Sequence, residues 1–137
     1  MKTHSTNYTN TFIEVAEDSK AVAGEVPPVK GEKSVANLQF EMISENPYVY
    51  TSDDVMFRVY ALKNNIEADK LKEQREKHFS KGQPCFRASP LAKRYGWGVH
   101  HDENEKIAIY GMETNEYKEL TENPNIKKVK AMRSSRK

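Results

Sequence analysis

The chain holds one cysteine, four histidines and one tryptophan among its 137 residues, and Cys85, Trp97, His100 and His101 fall within a span of seventeen positions. The stretch 84–98 reads PCFRASPLAKRYGWG. Ser89 followed by Pro90 has the order of a helix N-cap and first helical residue, so a short turn starting at Leu91 is expected to point free N–H groups outward. Such an end attracts anions. Arg87 precedes it and Lys93 and Arg94 follow, which adds positive field and the bidentate fork of a guanidinium. Gly96 and Gly98 flank Trp97, letting backbone approach a ligand while Tyr95 or Trp97 packs beside it. Arg87, Ser89, Lys93, Arg94, Tyr95 and Trp97 are therefore the expected contacts for a phosphate- or carboxylate-bearing molecule. The competing reading is structural: Ser89 only caps, Trp97 fills core and the cations are solvated.

Cys85 is a candidate nucleophile, because Arg87 and a helix end lower a thiol pKa and His100 or His101 can serve as base. Its spacing matches no cysteine-hydrolase signature, and a cysteine beside Phe86 is ordinarily a small buried hydrophobe. Adjacent side chains of a strand point to opposite faces, so His100 and His101 do not converge on one metal ion, and Asp102 reads as the start of a turn. No metal and no cofactor is expected. His4 lies in a terminus expected to be mobile, and His78 near a helix C-terminus where a cation is favoured. The phosphate loop, dinucleotide turn, paired-histidine zinc motif and nucleophile elbow are all absent from the sequence.

The size suits a single domain over residues 1–137, and 36% hydrophobic against 31% charged residues describes a polar protein. A start reading MKTHSTNYTN has no apolar signal core and no apolar run is long enough for a membrane span, so a cytoplasmic location without membrane contact is expected. A single cysteine forms no internal disulfide. The net charge of +2 conceals an uneven distribution: residues 1–60 carry 5 Lys/Arg and 9 Asp/Glu, whereas 61–137 carry 17 and 11. The acid-free segments are 77–101 and 127–137, the latter containing Lys127, Lys128, Lys130, Arg133, Arg136 and Lys137. Nucleic acid is therefore an alternative partner, bound by the loop and the basic C-terminus. Residues 134–137 are expected to form a flexible basic tail.

The elements that must position these residues follow from periodicity. TFIEVAED over 11–18 alternates as a half-buried strand, with Ile13 and Val15 on one side. GEVPPVKG over 24–31 is a connecting loop. Ser34 caps a helix to about 45 whose Val35, Leu38, Met42 and Ile43 face inward. Thr51 or Ser52 caps a second, with Asp53 and Asp54 at the positive end of its dipole and Val55, Met56, Val59, Tyr60 and Leu62 as its apolar face. A third, solvated helix turns only Leu71, His78 and Phe79 inward and stops near Gly82. Residues 84–98 lack a sustained period and read mostly as an ordered loop. WGVHHD and KIAIYGM form an antiparallel hairpin, Thr114 caps a short helix, and IKKVKAM is either a strand or a helical turn. The fold class is α+β: one small, mostly antiparallel sheet of three to four strands against three to four helices.

The segments MKTHSTNY, TFIEVAED, NPYVYTSDDVMF, KGQPCFRASPLAKRYGWGVH and KKVKAMRSSRK together resemble, over nearly the whole chain, a family of small bacterial proteins classed as a domain of unknown function. The resemblance implies no activity, cofactor or site residue. Four readings therefore rest on the residues: an anion-binding module at 84–101, a nucleic-acid binder, a small enzyme using Cys85, and a partner-binding domain presenting Tyr48, Tyr50 and Trp97. Oligomeric state stays open.

Overall fold

The structure is a computed structural model that describes residues 4–134. Its four strands are β1 (Thr11–Glu14), β2 (Trp97–His101), β3 (Ile107–Gly111) and β4 (Lys127–Lys130), in the order β3-β2-β1-β4. Helices are α1 (Val35–Glu45), α2 (Ser52–Lys63), α3 (Leu71–His78), α4 (Pro90–Lys93) and α5 (Asn115–Glu122). This is the expected α+β class. The hairpin β2-β3 is antiparallel, as is β1 with β2, but β4 runs parallel to β1, with Thr11 opposite Lys127 and Glu14 opposite Lys130. The segment IKKVKAM thus contains a strand. The fifth helix is the one-turn α4, which forms at the short turn expected after Ser89 within the otherwise loop-like segment 84–98.

Both faces of β1 are covered, which corrects the half-buried expectation. Ile13 faces Val99 of β2, and with Ile107, Ile43, Val55, Val59, Phe86 and Leu91 it forms the main core under α1, α2 and α4. Phe12 points the other way, meets Tyr117 of α5 edge-on at 5.0 Å between ring centroids, and is equally buried. Alternation only finds half-buried strands; one covered on both sides reads as a continuous apolar run.

Capping places the helices where the sequence does. Ser34 accepts from the Asn37 N–H while Asn37 Oδ1 accepts from Ser34 N, and Thr51 and Asp54 form the same reciprocal box on α2. The faces differ from expectation: α1 buries Ala36, Asn37, Gln39 and Ile43 while Val35 is exposed, and α2 exposes Tyr60 and Leu62 while burying Phe57 and Ala61. Phe57 and Ala61 pack with Phe79 in a second small apolar cluster, because α3 covers the side of α2 turned away from the sheet.

Asp53 does more than face the helix dipole. Its carboxylate accepts the Thr6 N–H and hydroxyl, both at 2.7 Å, and the Ser5 hydroxyl at 2.8 Å, while its own N–H donates to Asn7 Oδ1. His4 N–H donates to the Phe79 carbonyl at 2.8 Å. The segment ahead of β1, expected to be mobile, is thereby strapped across α2 and the end of α3. Of the expected basic tail, Ser134 donates its N–H to Asp18 Oδ2; residues 135–137, with Arg136 and Lys137, lie outside the described residues.

Gly98 is a point of close packing in the sheet, since a methyl there would overlap the Phe12 ring and come within 2.7 Å of Tyr117 Cε2. Gly98→Ala is expected to cost about 1–3 kcal/mol through overpacking, read as a lower urea midpoint. An unchanged midpoint would show that α5 does not press on β1 as described.

Candidate functional site

A cleft of about 460 Å³ opens where α1, α2, the end of α3 and residues 83–90 meet. From α2 it takes Met56, Val59, Tyr60 and Lys63, positions three and four apart that share one helix face. From α1 it takes Val35 and Gln39, and from α3 His78. Of the residues singled out in the sequence, Cys85 and Ser89 line it together.

Ser89 caps α4 with Pro90 as the first helical residue, as the sequence indicated. The free donors expected there are occupied: Ser89 Oγ accepts Leu91 N–H at 3.2 Å, the Ser89 carbonyl accepts from Ala92 and Lys93, and Pro90 has none to give. The Ser89 hydroxyl in turn donates to Gln39 Oε1 at 2.6 Å, with both residues buried. This bond aims the Gln39 amide. Its Nε2 meets only the thioether sulfur of Met56, at 3.5 Å, which is a weak acceptor.

Cys85 Sγ lies 3.2 Å from the Tyr8 hydroxyl. Burial, reinforced by that contact, pushes the Tyr8 phenol up to about 12, so at neutral pH it offers the sulfur no base. Neither candidate histidine bonds Cys85. His101 lies fully buried on the core face, edge-on to the Tyr8 ring at 5.2 Å between centroids, and among the described residues neither ring nitrogen has a partner at full hydrogen-bond geometry, the backbone at Val99 and Thr11 being near it. His100 points to the opposite face, as strand alternation required. There its Nδ1 meets the Tyr48 hydroxyl at 2.7 Å, and that hydroxyl meets Tyr110 Oη at 2.8 Å. Burial, opposed by Asp102, lowers the His100 pKa, and burial followed by the Tyr110 contact raises that of Tyr48 well above its usual range. Tyr48 reaches this face from a left-handed backbone conformation, φ 59°.

The remaining expected contacts disperse. Arg87 is exposed and turns its Nε to the Lys130 carbonyl at 2.7 Å. Trp97 donates Nε1–H to the Glu25 carbonyl and packs against Phe40 of α1. Tyr95 accepts the Glu25 N–H through its carbonyl, Lys93 is half-buried and Arg94 exposed. None of these five lines the cleft that holds Cys85 and Ser89. Lys128 Nζ donates to the Asn123 carbonyl and Lys130 lies 3.7 Å from Glu14, so part of the basic C-terminal segment is spent within the chain. Among the described residues no group of three His, Cys, Asp or Glu side chains is placed to hold a metal ion, and no helix is long and apolar enough to cross a membrane.

Gln39 and His78 are the functional groups that sequence reasoning undervalued. Gln39 sits four residues after Val35 and four before Ile43, a polar side chain on the helix face that points inward, and that spacing was the available signal. His78 ends α3, at the helix C-terminus where it was expected; there burial, opposed by Asp53, lowers its pKa, and its ring lies tilted against Tyr60 at 4.5 Å between centroids.

A model for a family of unknown function matches residues 3–137. No curated protein and no solved structure matches the chain.

Burial pushes His101 down to about 4, against smaller upward pulls from the backbone at Val99 and Thr11. The unfolded chain therefore takes a proton at this residue near its ordinary value of 6.5, while the folded protein resists until about pH 4. Stability should fall as pH drops through that window, by about 3 kcal/mol from this ring, with His78 and His100 acting in the same direction. Urea midpoints at pH 7, 5.5 and 4.5 check this: His101→Phe, which keeps an aromatic edge for Tyr8, should lose distinctly less in acid than the parent. Equal losses would remove His101 as the cause.

Proposed function

This chain belongs to a family of unknown function, DUF6157, and we propose that it is a binding module for a small organic molecule bearing a carboxylate. The ligand occupies the cleft between α1, α2 and residues 83–90, with its acid group on the Gln39 amide and toward Lys63. The observation that carries this reading is Gln39 itself. Ser89 holds its oxygen at 2.6 Å, so its amide nitrogen is committed to the cleft, where a thioether sulfur at 3.5 Å is its acceptor. A carboxylate oxygen there would gain a charge-assisted bond that water and sulfur do not supply.

The walls fit the rest of such a molecule. Val35, Met56, Val59, Pro84, Ala88 and Pro90 are apolar, and a volume of about 460 Å³ falls within the range of small-ligand pockets. Lys63 is the cation among the lining residues, which favours a singly charged acid over a phosphate dianion. Lys63 Nζ also donates to the Lys33 carbonyl at 3.1 Å, which keeps the ammonium at the rim. The segment 84–90 thus contributes through Ser89 and Cys85, and Ser89 acts by orienting Gln39. With no histidine bonded to Cys85, the reading is one of binding.

Titration with benzoate, phenylacetate and hexanoate, followed by amide NMR, should shift the Gln39 side-chain NH2 resonances and those of Val35 and Val59. Gln39→Leu should weaken the best of these acids by about tenfold to a hundredfold, the worth of one hydrogen bond to a charged group. If none of the acids moves these resonances, or the variant binds as well as the parent, the assignment fails.

A further inference from the structure

A second concavity opens on the other side of α2, between that helix, the turn at 64–70 and α3, with a volume of about 690 Å³. Its floor is apolar: Phe57, Ala61 and Ile66 belong to the small cluster closed below by Phe79. Leu62 and Leu71 flank it and remain 53% and 36% exposed, which extends the apolar surface beyond the floor.

The charges around that floor are lopsided. Arg58, Lys72 and Arg75 line the groove together with one carboxylate, Asp54. Asp54 is taken by Arg75, at 3.0 Å, and by the Thr51 N–H. Arg58 and Lys72 have no acidic partner among the described residues, leaving two uncompensated cations beside an apolar trough. The complement of such a surface is a molecule with an aliphatic body and an anionic head. The groove's volume of about 690 Å³ falls within the range of small-ligand pockets.

We propose that the α2–α3 groove binds a free aliphatic carboxylate of medium chain length, the chain lying over Phe57, Ala61, Ile66 and Leu71 and the carboxylate on Arg58 and Lys72. The groove is independent of the α1–α2 cleft: it is built from different residues, on the opposite stripe of α2. It also differs in chemistry, since here charge complementarity and exposed aliphatic surface select the ligand, with no buried amide involved.

The probe is sodium dodecanoate, kept below micelle formation and titrated into the full chain with methyl and amide NMR as readout. The expected result is saturable binding that shifts Leu62, Ile66 and Leu71 while Val35 and Val59 stay in place. The double variant Arg58→Gln, Lys72→Gln should weaken dodecanoate by about tenfold or more, while dodecanol should bind parent and variant alike, and weakly. Arg58 and Lys72 are exposed and make no internal bond, so circular dichroism should show the variant folded. Shifts confined to Val35 and Val59, dodecanol binding as tightly as dodecanoate, or a variant of unchanged affinity would each overturn the proposal. So would binding to phosphatidylglycerol vesicles without binding to dissolved dodecanoate, which would assign the groove to a lipid surface. Failure of the groove leaves the cleft intact, because the two are read from separate resonances.

Discussion

The arrangement of the whole molecule depends on β1 being an interior strand. Its two edges are completed by β2, antiparallel, and by β4, parallel, and its two faces by the main core and by α5. A strand in that position has no hydrogen bond left for water, so everything joined to it inherits its placement. The residues just ahead of β1 are therefore delivered across the top of α2, where the Asp53 carboxylate gathers Ser5 and Thr6. Tyr8 follows, and it is this side chain that links Cys85, by its hydroxyl, to His101, by its ring. The chemistry-bearing residues of the 84–101 segment are thus held in part by a residue near the start of the chain, through packing that no local pattern contains.

Local chemistry was legible. Ser34, Thr51, Ser89 and Thr114 each cap the helix that follows them, and the turn between β2 and β3 is closed by Asp102 accepting from Asn104 and Lys106. These features depend on residues within a few positions of one another. What depended on distant partners was not legible. The parallel pairing of β4 needs a strand more than a hundred residues earlier, the burial of Phe12 needs α5, and the burial of Phe57 needs α3. The proposed anion set failed to gather for the same reason. Arg87, Ser89 and Trp97 are neighbours in sequence, yet a one-turn helix and a strand rotate them toward Lys130, Gln39 and Glu25 respectively.

α2 explains why its own apolar face was hard to read. Val55 and Val59 face the sheet, Met56, Tyr60 and Lys63 border the cleft, and Phe57, Ala61 and Leu62 border the groove. A helix with three different environments around its circumference has no single stripe for a 3.6-residue period to find. The same helix is thus a shared wall, twelve residues long, whose two open sides present different chemistries: largely apolar walls with the Gln39 amide and one lysine on one side, an apolar floor beside Arg58 and Lys72 on the other.

The outer edges of the sheet carry a consequence for behaviour at high concentration. An uncovered strand edge is a template on which a second chain can extend a sheet into an aggregate. At the start of β3 that edge is taken by the segment 48–51, whose Tyr48 N–H donates to the Ile107 carbonyl and whose Tyr50 carbonyl accepts the Ile107 N–H. Along β4, Arg87 Nε occupies the Lys130 carbonyl and the Met132 N–H is held by the Arg87 carbonyl, while Lys127 is exposed to solvent. Lysine on an edge strand repels an approaching copy of itself. Charge repulsion of that kind works against edge-to-edge pairing of two chains and needs no ligand.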